Sequence, residues 1–121
     1  MLLGVIGLGY MESRIAGRLM DAGYPLGVYN RTRVKTRSLA ERGARVYDSP
    51  HELAADADTI LSMLADDAAV EQVMLGRDGV LAAARSGSTI IDLSSVRPDT
   101  SRRLASAARQ ATSWMPSWAA T

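Results

Sequence analysis

Gly7-Leu8-Gly9 stands between a short apolar run and an amphipathic stretch that opens with Tyr10-Met11. Two glycines at this spacing, on a turn from strand to helix, let backbone N–H groups and a helix N-terminus approach a pyrophosphate. The third glycine of G-x-G-x-x-G would fall at position 12, which holds Glu12. A glutamate there adds bulk where the helix normally packs closely on the strand. It also brings a carboxylate toward a bound diphosphate. Like charges about 5 Å apart repel by several kcal/mol at an effective dielectric near 20. Taken alone, the loop reads equally well as a strand–helix turn with incidental glycines.

A second cluster bears on the first. Val28-Tyr29-Asn30-Arg31-Thr32 follows the glycines, with Lys35 close behind. Asn30 lies about twenty residues past the loop, where an acidic side chain would grip the ribose hydroxyls of NAD. A neutral Asn, an Arg, a hydroxyl and a Lys instead suit a 2′-phosphate through charge-assisted hydrogen bonds. The pattern favours NADP over NAD. The plainer alternative is a solvated basic stretch from Arg31 to Arg37. Cations at a helix start oppose the helix dipole, so that alternative leaves their placement unexplained.

Other reactive types are sparser. Asp66 and Asp92 could suggest a hydrolytic pair, but Asp66 precedes a helix, where capping explains it. Asp92 ends a strand and reads as a hydrogen-bonded turn residue. His51, the single histidine, falls in a helix's first turn and is expected on the solvated surface. Ser94 and Ser95 read as a turn ahead of Pro98.

The elements that must position these residues alternate. Leu2 to Ile6 is a short buried strand, and Met11 to Ala22 a helix stopped near Gly23. Leu26 to Tyr29 is a strand, Val34 to Arg42 a helix, and Ala44 to Tyr47 a weak third strand. Ser49-Pro50-His51-Glu52 is a capping box with proline at the first helical position, opening a helix to about Asp56. Thr59 to Leu64 is a fourth strand and Asp67 to Met74 a helix. A turn at Gly76 to Gly79 leads to a short helix, Val80 to Arg85. Thr89 to Leu93 is the fifth strand, and a helix runs from Pro98 to about Gln110. Such alternation implies βαβ units and a parallel sheet covered on both faces.

Composition excludes several classes. The 121 residues carry 14 Lys+Arg against 13 Asp+Glu, a net charge of +1, so neither nucleic acid nor an anionic membrane is expected as partner. There is no cysteine, which removes disulfides and thiolate metal sites. The apolar start is too short to span a bilayer and lacks the flanks of a signal peptide. A cytoplasmic location is expected.

Four stretches together resemble the β-hydroxyacid dehydrogenase family. They are Gly4-Val5-Ile6-Gly7-Leu8-Gly9-Tyr10-Met11, Val28-Tyr29-Asn30-Arg31-Thr32 with Lys35, Ser62-Met63-Leu64-Ala65-Asp66, and Ile91-Asp92-Leu93-Ser94-Ser95 with Pro98 and Thr100. That family includes 3-hydroxyisobutyrate dehydrogenase and the N-terminal domain of 6-phosphogluconate dehydrogenase, with imine reductases as close relatives. The resemblance implies a Rossmann-type doubly wound parallel sheet over residues 1–110 that binds NADP. It implies that Gly7, Leu8, Gly9, Tyr10 and Met11 line the diphosphate. Asn30, Arg31, Thr32 and Lys35 would hold the 2′-phosphate, with Arg31 against the adenine. Met63, Leu64 and Ala65 would pass along the riboses. Ser95 stands where the family places a serine or threonine beside nicotinamide and substrate, and is the one catalytic candidate. The implied activity is hydride transfer between NADP(H) and a small β-hydroxyacid or aldehyde. An imine reductase-like domain, or a non-catalytic NADP-binding or degenerate remnant, are the alternatives.

The chain departs from the family pattern in three places. Glu12 replaces a glycine. The sheet is expected to stop at five strands, truncated before the sixth, with the helical C-terminal domain absent. No lysine follows Lys35, so the family's catalytic lysine has no counterpart, and the domain alone is expected to be nearly inert. Residues 111–121 show no clear period and are expected to be an irregular tail. Trp114-Met115-Pro116 read out of frame yields Asp-Ala, which suggests out-of-frame translation of a longer gene. The fifth strand would then present an open apolar edge and promote self-association.

Overall fold

The computed structural model describes residues 2–7, 9–64, 66–85, 87–94, 97–108 and 113–115. The apolar runs become strands β1 (Leu3–Ile6), β2 (Leu26–Tyr29), β3 (Arg45–Val46), β4 (Thr59–Ser62) and β5 (Thr89–Asp92), followed by β6 (Ser113–Met115). Between them lie α1 (Tyr10–Asp21), α2 (Arg37–Glu41), α3 (Pro50–Asp56), α4 (Asp67–Leu75) and α5 (Pro98–Ala108). A 3-10 turn, Arg33–Thr36, leads into α2. All pairings are parallel, in the order β3-β2-β1-β4-β5-β6. This is the Rossmann order, and the direction of winding reverses between β1 and β4.

Strand alternation sorts the core onto two faces. Leu3 and Val5 of β1 and Leu26 and Val28 of β2 pack with Ala16 of α1 and Leu39 of α2. On the other face Ile6, Ile60 and Ile90 pack with Leu53 of α3, Val70 and Met74 of α4 and Leu104 of α5. Gly4 and Gly27 stand opposite each other in the β1–β2 register. A Cβ at Gly27 would come 2.9 Å from the Leu53 side chain, and one at Gly4 3.1 Å from it. The paired glycines form the notch into which α3 settles. Burying a leucine this fully is worth about 2 kcal/mol.

The caps follow the sequence closely. Ser49 Oγ accepts the Glu52 N–H at 3.1 Å, with Pro50 in the first turn of α3. Glu52 reaches back to the Asp48 N–H at 3.4 Å, one residue before the cap. Asp66 caps α4 by accepting the Ala69 N–H at 2.8 Å, so capping accounts for it as expected.

Four expectations are corrected. The sheet has six strands, not five: Ser113–Met115 pairs with β5 through Ile90↔Trp114 and Ile91↔Met115. Three residues suffice because the β5 backbone supplies the template, a non-local cue that no periodicity within residues 111–121 carries. β5 is therefore internal, and the edges are β3 and β6, so the expected self-association through an exposed β5 edge loses its basis. Residues 80–85 form a bend and a turn rather than the expected short helix. Ala83 and Ala84 N–H both bond the Val80 carbonyl, which closes a turn without propagating it. Finally, His51 is not a fully solvated residue: its Nδ1 is buried without a hydrogen-bond partner. Its backbone N–H bonds the Asp78 carbonyl at 2.9 Å, which holds the 76–79 turn against the start of α3.

Candidate functional site

The carboxyl ends of the strands open into one cleft of about 1120 Å3. It spans the switch point between β1 and β4, where open α/β sheets take their ligands. Gly7 and Gly9 line it from the first turn, Asn30, Arg31, Thr32 and Lys35 from the end of β2, Met63 and Leu64 from the end of β4, and Ser94 from the end of β5. Eight of the expected cofactor residues are thus brought to one cavity. Leu8, Ala65 and Ser95 lie outside the described residues. For Tyr10, Met11 and Glu12 only the backbone is described, and α1 runs unbroken through all three.

The first turn is built around a close backbone approach. Gly7 has φ +92°, and a Cβ there would stand 2.3 Å from the Met63 carbonyl oxygen. Only glycine meets both demands. The Gly7 N–H bonds the Tyr29 carbonyl at 3.0 Å, and the Met63 N–H bonds the Ile6 carbonyl at 3.2 Å. The turn is therefore fixed to β2 on one side and β4 on the other. Gly9 is the N-cap of α1 and has extended φ/ψ, so it gives the helix a start with no side chain at the mouth of the cleft.

The β2 rim is polar and exposed. Asn30 Nδ2 donates to the Thr32 carbonyl at 2.8 Å, and the Lys35 N–H donates to the same oxygen at 3.1 Å. These bonds wrap the segment so that Arg31, Thr32 and Lys35 all reach the cavity. Among the described residues neither Arg31 nor Lys35 forms an ion pair.

The β4–β5 rim is buried and internally bonded. Asp92 is 2% exposed. Its Oδ1 accepts the Ser62 hydroxyl at 3.0 Å and the Ser94 N–H at 3.0 Å. Ser94 Oγ in turn accepts the Leu64 N–H at 2.6 Å. Asp92 is therefore the hydrogen-bonded turn residue expected of it. Beyond it, Asp67 accepts the Thr100 hydroxyl at 2.7 Å and the Arg97 N–H at 3.0 Å, strapping α4 to the start of α5. The Thr100 hydroxyl, followed by the Arg97 N–H, holds the Asp67 carboxyl below its usual value of 3.8.

Sequence reasoning missed the third strand's contribution. Asp48, Ser49 and Pro50 line the cleft from the end of β3, as Gln72 does from α4. The signal for Asp48 was its place directly after a strand, at the carboxyl edge, but reading it needs the β2–β3 register. Among the described residues no group of His, Cys, Asp and Glu could hold a metal ion, and no helix is long and apolar enough to cross a membrane.

Known proteins share this arrangement. The family model described as the NAD binding domain of 6-phosphogluconate dehydrogenase matches residues 2–115. The uncharacterized oxidoreductase YfjR of Bacillus subtilis is 42% identical over 107 residues, 88% of this chain and 37% of that protein. The mitochondrial 3-hydroxyisobutyrate dehydrogenase of Mus musculus is 38% identical over 103 residues, 85% of this chain and 31% of that protein. The structure of an imine reductase from Myxococcus stipitatus in complex with NADP+ superposes with a TM-score of 0.85 at 28% identity, over 96% of this chain and 40% of that one. The chain spans less than two-fifths of the length of the two curated relatives.

Proposed function

The chain belongs to the family of the NAD binding domain of 6-phosphogluconate dehydrogenase, and from that premise we propose that its cleft takes NADP(H) in preference to NAD(H). The observation that carries this reading is the β2 rim. Arg31 and Lys35 line the cavity with no ion pair among the described residues, and Asn30 stands where an NAD site needs a carboxylate. A dianionic 2′-phosphate supplies the missing counter-charge, and its oxygens accept from Arg31, Thr32 and Lys35. The tight turn at Gly7, closed against the Met63 carbonyl, leads into the start of α1, which suits a diphosphate lying against backbone N–H groups of residues 7–11. Leu8, Gly9, Tyr10 and Met11 would complete that contact. Arg31 would lie against the adenine, and Met63, Leu64 and Ala65 would pass along the riboses. Ser95 would be the residue beside the nicotinamide and the substrate.

When bound, the nicotinamide supplies or accepts the hydride. The residues described above bind it, orient it and hold the β4–β5 ends rigid around it. For the longer relatives' reaction, the names they carry favour a small β-hydroxyacid or its aldehyde as substrate. The superposition with an imine reductase in complex with NADP+ favours imine reduction as the second reading. These 121 residues contain no lysine after Lys35. With no positioned general acid from that source, turnover by the chain alone is expected to be slower by about a hundredfold or more.

Calorimetric titration of NADPH into the wild-type chain, Arg31→Ala and Lys35→Ala tests the binding reading. Each substitution is expected to weaken NADPH about tenfold and NADH little, since charge-assisted hydrogen bonds contribute about 1.5 kcal/mol or more. Equal losses for both cofactors would contradict it.

A further inference from the structure

The phosphate rim is not purely basic, and the Asp48 carboxylate beside it is paired. β2 and β3 run parallel with Val28 level with Val46, and the Tyr47 N–H bonds the Val28 carbonyl at 2.9 Å. Asn30 directly follows β2, and Asp48 follows β3 by two residues. Both line the cleft. A carboxylate therefore stands on the adjacent strand end, next to the position where NAD-binding sites hold one. Left bare, it would repel a 2′-phosphate and offer an acceptor to ribose hydroxyls. It is not bare: Arg33 forms an ion pair with Asp48 Oδ1. Arg33 does not itself line the cavity, whereas Asp48, Arg31 and Lys35 do.

Both partners are mostly exposed, at 65% and 68% of their side-chain surface. Exposed pairs of this kind contribute little to folding. The placement makes sense at the level of binding, because the pair cancels the charge of Asp48 without using Arg31 or Lys35.

We infer that the Arg33–Asp48 pair sets cofactor selectivity: Arg33 masks a carboxylate that would otherwise turn the site toward NAD(H). The inference rests on the NADP reading above. It assigns a role to two residues outside the Asn30–Lys35 phosphate contacts, one of which touches no part of the cavity.

The test measures dissociation constants for NADPH and NADH by calorimetry at low ionic strength. It uses the full chain, Arg33→Ala, Arg33→Lys, Asp48→Asn and the double variant Arg33→Ala/Asp48→Asn. Thermal melting checks that all five are folded, and 2′,5′-ADP against 5′-AMP on the wild type checks the underlying site. Arg33→Ala is expected to weaken NADPH about tenfold and to leave NADH unchanged or tighter. Arg33→Lys keeps the wild-type preference. Asp48→Asn tightens NADPH about threefold, and in that background Arg33→Ala costs less than about twofold, because no carboxylate remains to unmask. If Arg33→Ala weakens NADPH as much in the Asp48→Asn background as in the wild type, Arg33 acts on the phosphate directly and the masking role is overturned. Selectivity unmoved in every variant, with a wild type that prefers 2′,5′-ADP, overturns the inference alone. A wild type indifferent to the 2′-phosphate overturns the NADP reading and this inference with it.

Discussion

The two rims of the cleft are built on opposite principles. The β2–β3 rim consists of exposed charged side chains, held by a few turn bonds and the Arg33–Asp48 pair. The β4–β5 rim consists of buried polar groups that satisfy one another: Ser62, Asp92, Ser94 and the Leu64 N–H. Hydrated charges at the first rim can be exchanged at little cost to the fold, so that rim is free to choose the ligand. At the second rim the Ser62 hydroxyl and the Ser94 and Leu64 N–H groups are all committed, which makes that rim rigid. In the proposed reading, selectivity and preorganisation are assigned to different strands. A substitution should therefore move binding or stability, according to the rim it falls on.

The most severe way to break this comparison is Gly7→Ala, because Gly7 joins both rims. Its positive φ, and a Met63 oxygen only 2.3 Å from where a Cβ would stand, leave no room for a methyl group. We expect a loss of about 4 kcal/mol in urea unfolding, with cofactor binding lost as well. Next comes Asp92→Ala, which strands the Ser62 hydroxyl and the Ser94 N–H in the interior. Stability should fall by about 3 kcal/mol. The preference of the remaining folded protein for 2′,5′-ADP over 5′-AMP should be unchanged, since the 2′-phosphate engages only the first rim. A stability loss under about 1 kcal/mol, or a parallel loss of that preference, would merge the rims into one unit.

The smallest effect sharpens the comparison through pH. The Thr100 hydroxyl holds the Asp67 carboxyl below 3.8, and the Leu2 N–H does the same for Asp58. A depressed carboxyl pKa stabilises the fold above the unfolded value, and that stability is lost as pH falls through the folded value. Urea midpoints should therefore drop below about pH 4, and less steeply in Asp67→Asn than in the wild type. An identical acid slope in the two proteins would remove Asp67 from the strap between α4 and α5.

Much of this architecture is legible in the sequence, because it rests on local signals. Leu3–Ile6 and Leu26–Tyr29 are apolar runs bounded by turns. Ser49-Pro50-x-Glu52 and Asp66 mark helix starts that capping geometry requires. That Asn30, Arg31, Thr32 and Lys35 gather at the cleft was legible, because polar and charged types directly after a strand fall on the carboxyl edge of the sheet. What stayed hidden depends on neighbours distant in sequence. β6 is three residues long and becomes a strand only against β5. The Gly4–Gly27 notch appears only when two strands are set in register. The burial of His51 Nδ1 depends on the fold around α3, not on its own helix pattern. Asp48 was invisible for the same reason, since its place at the cleft follows from the β2–β3 pairing.

The central claim, that the β2–β3 rim selects a 2′-phosphate, is tested most directly by titrating the wild-type chain with NADPH and with NADH in one buffer. The account predicts that NADPH binds at least about tenfold more tightly and that the preference shrinks as salt is raised. Equal affinity for the two cofactors, or a preference for NADH, would contradict it.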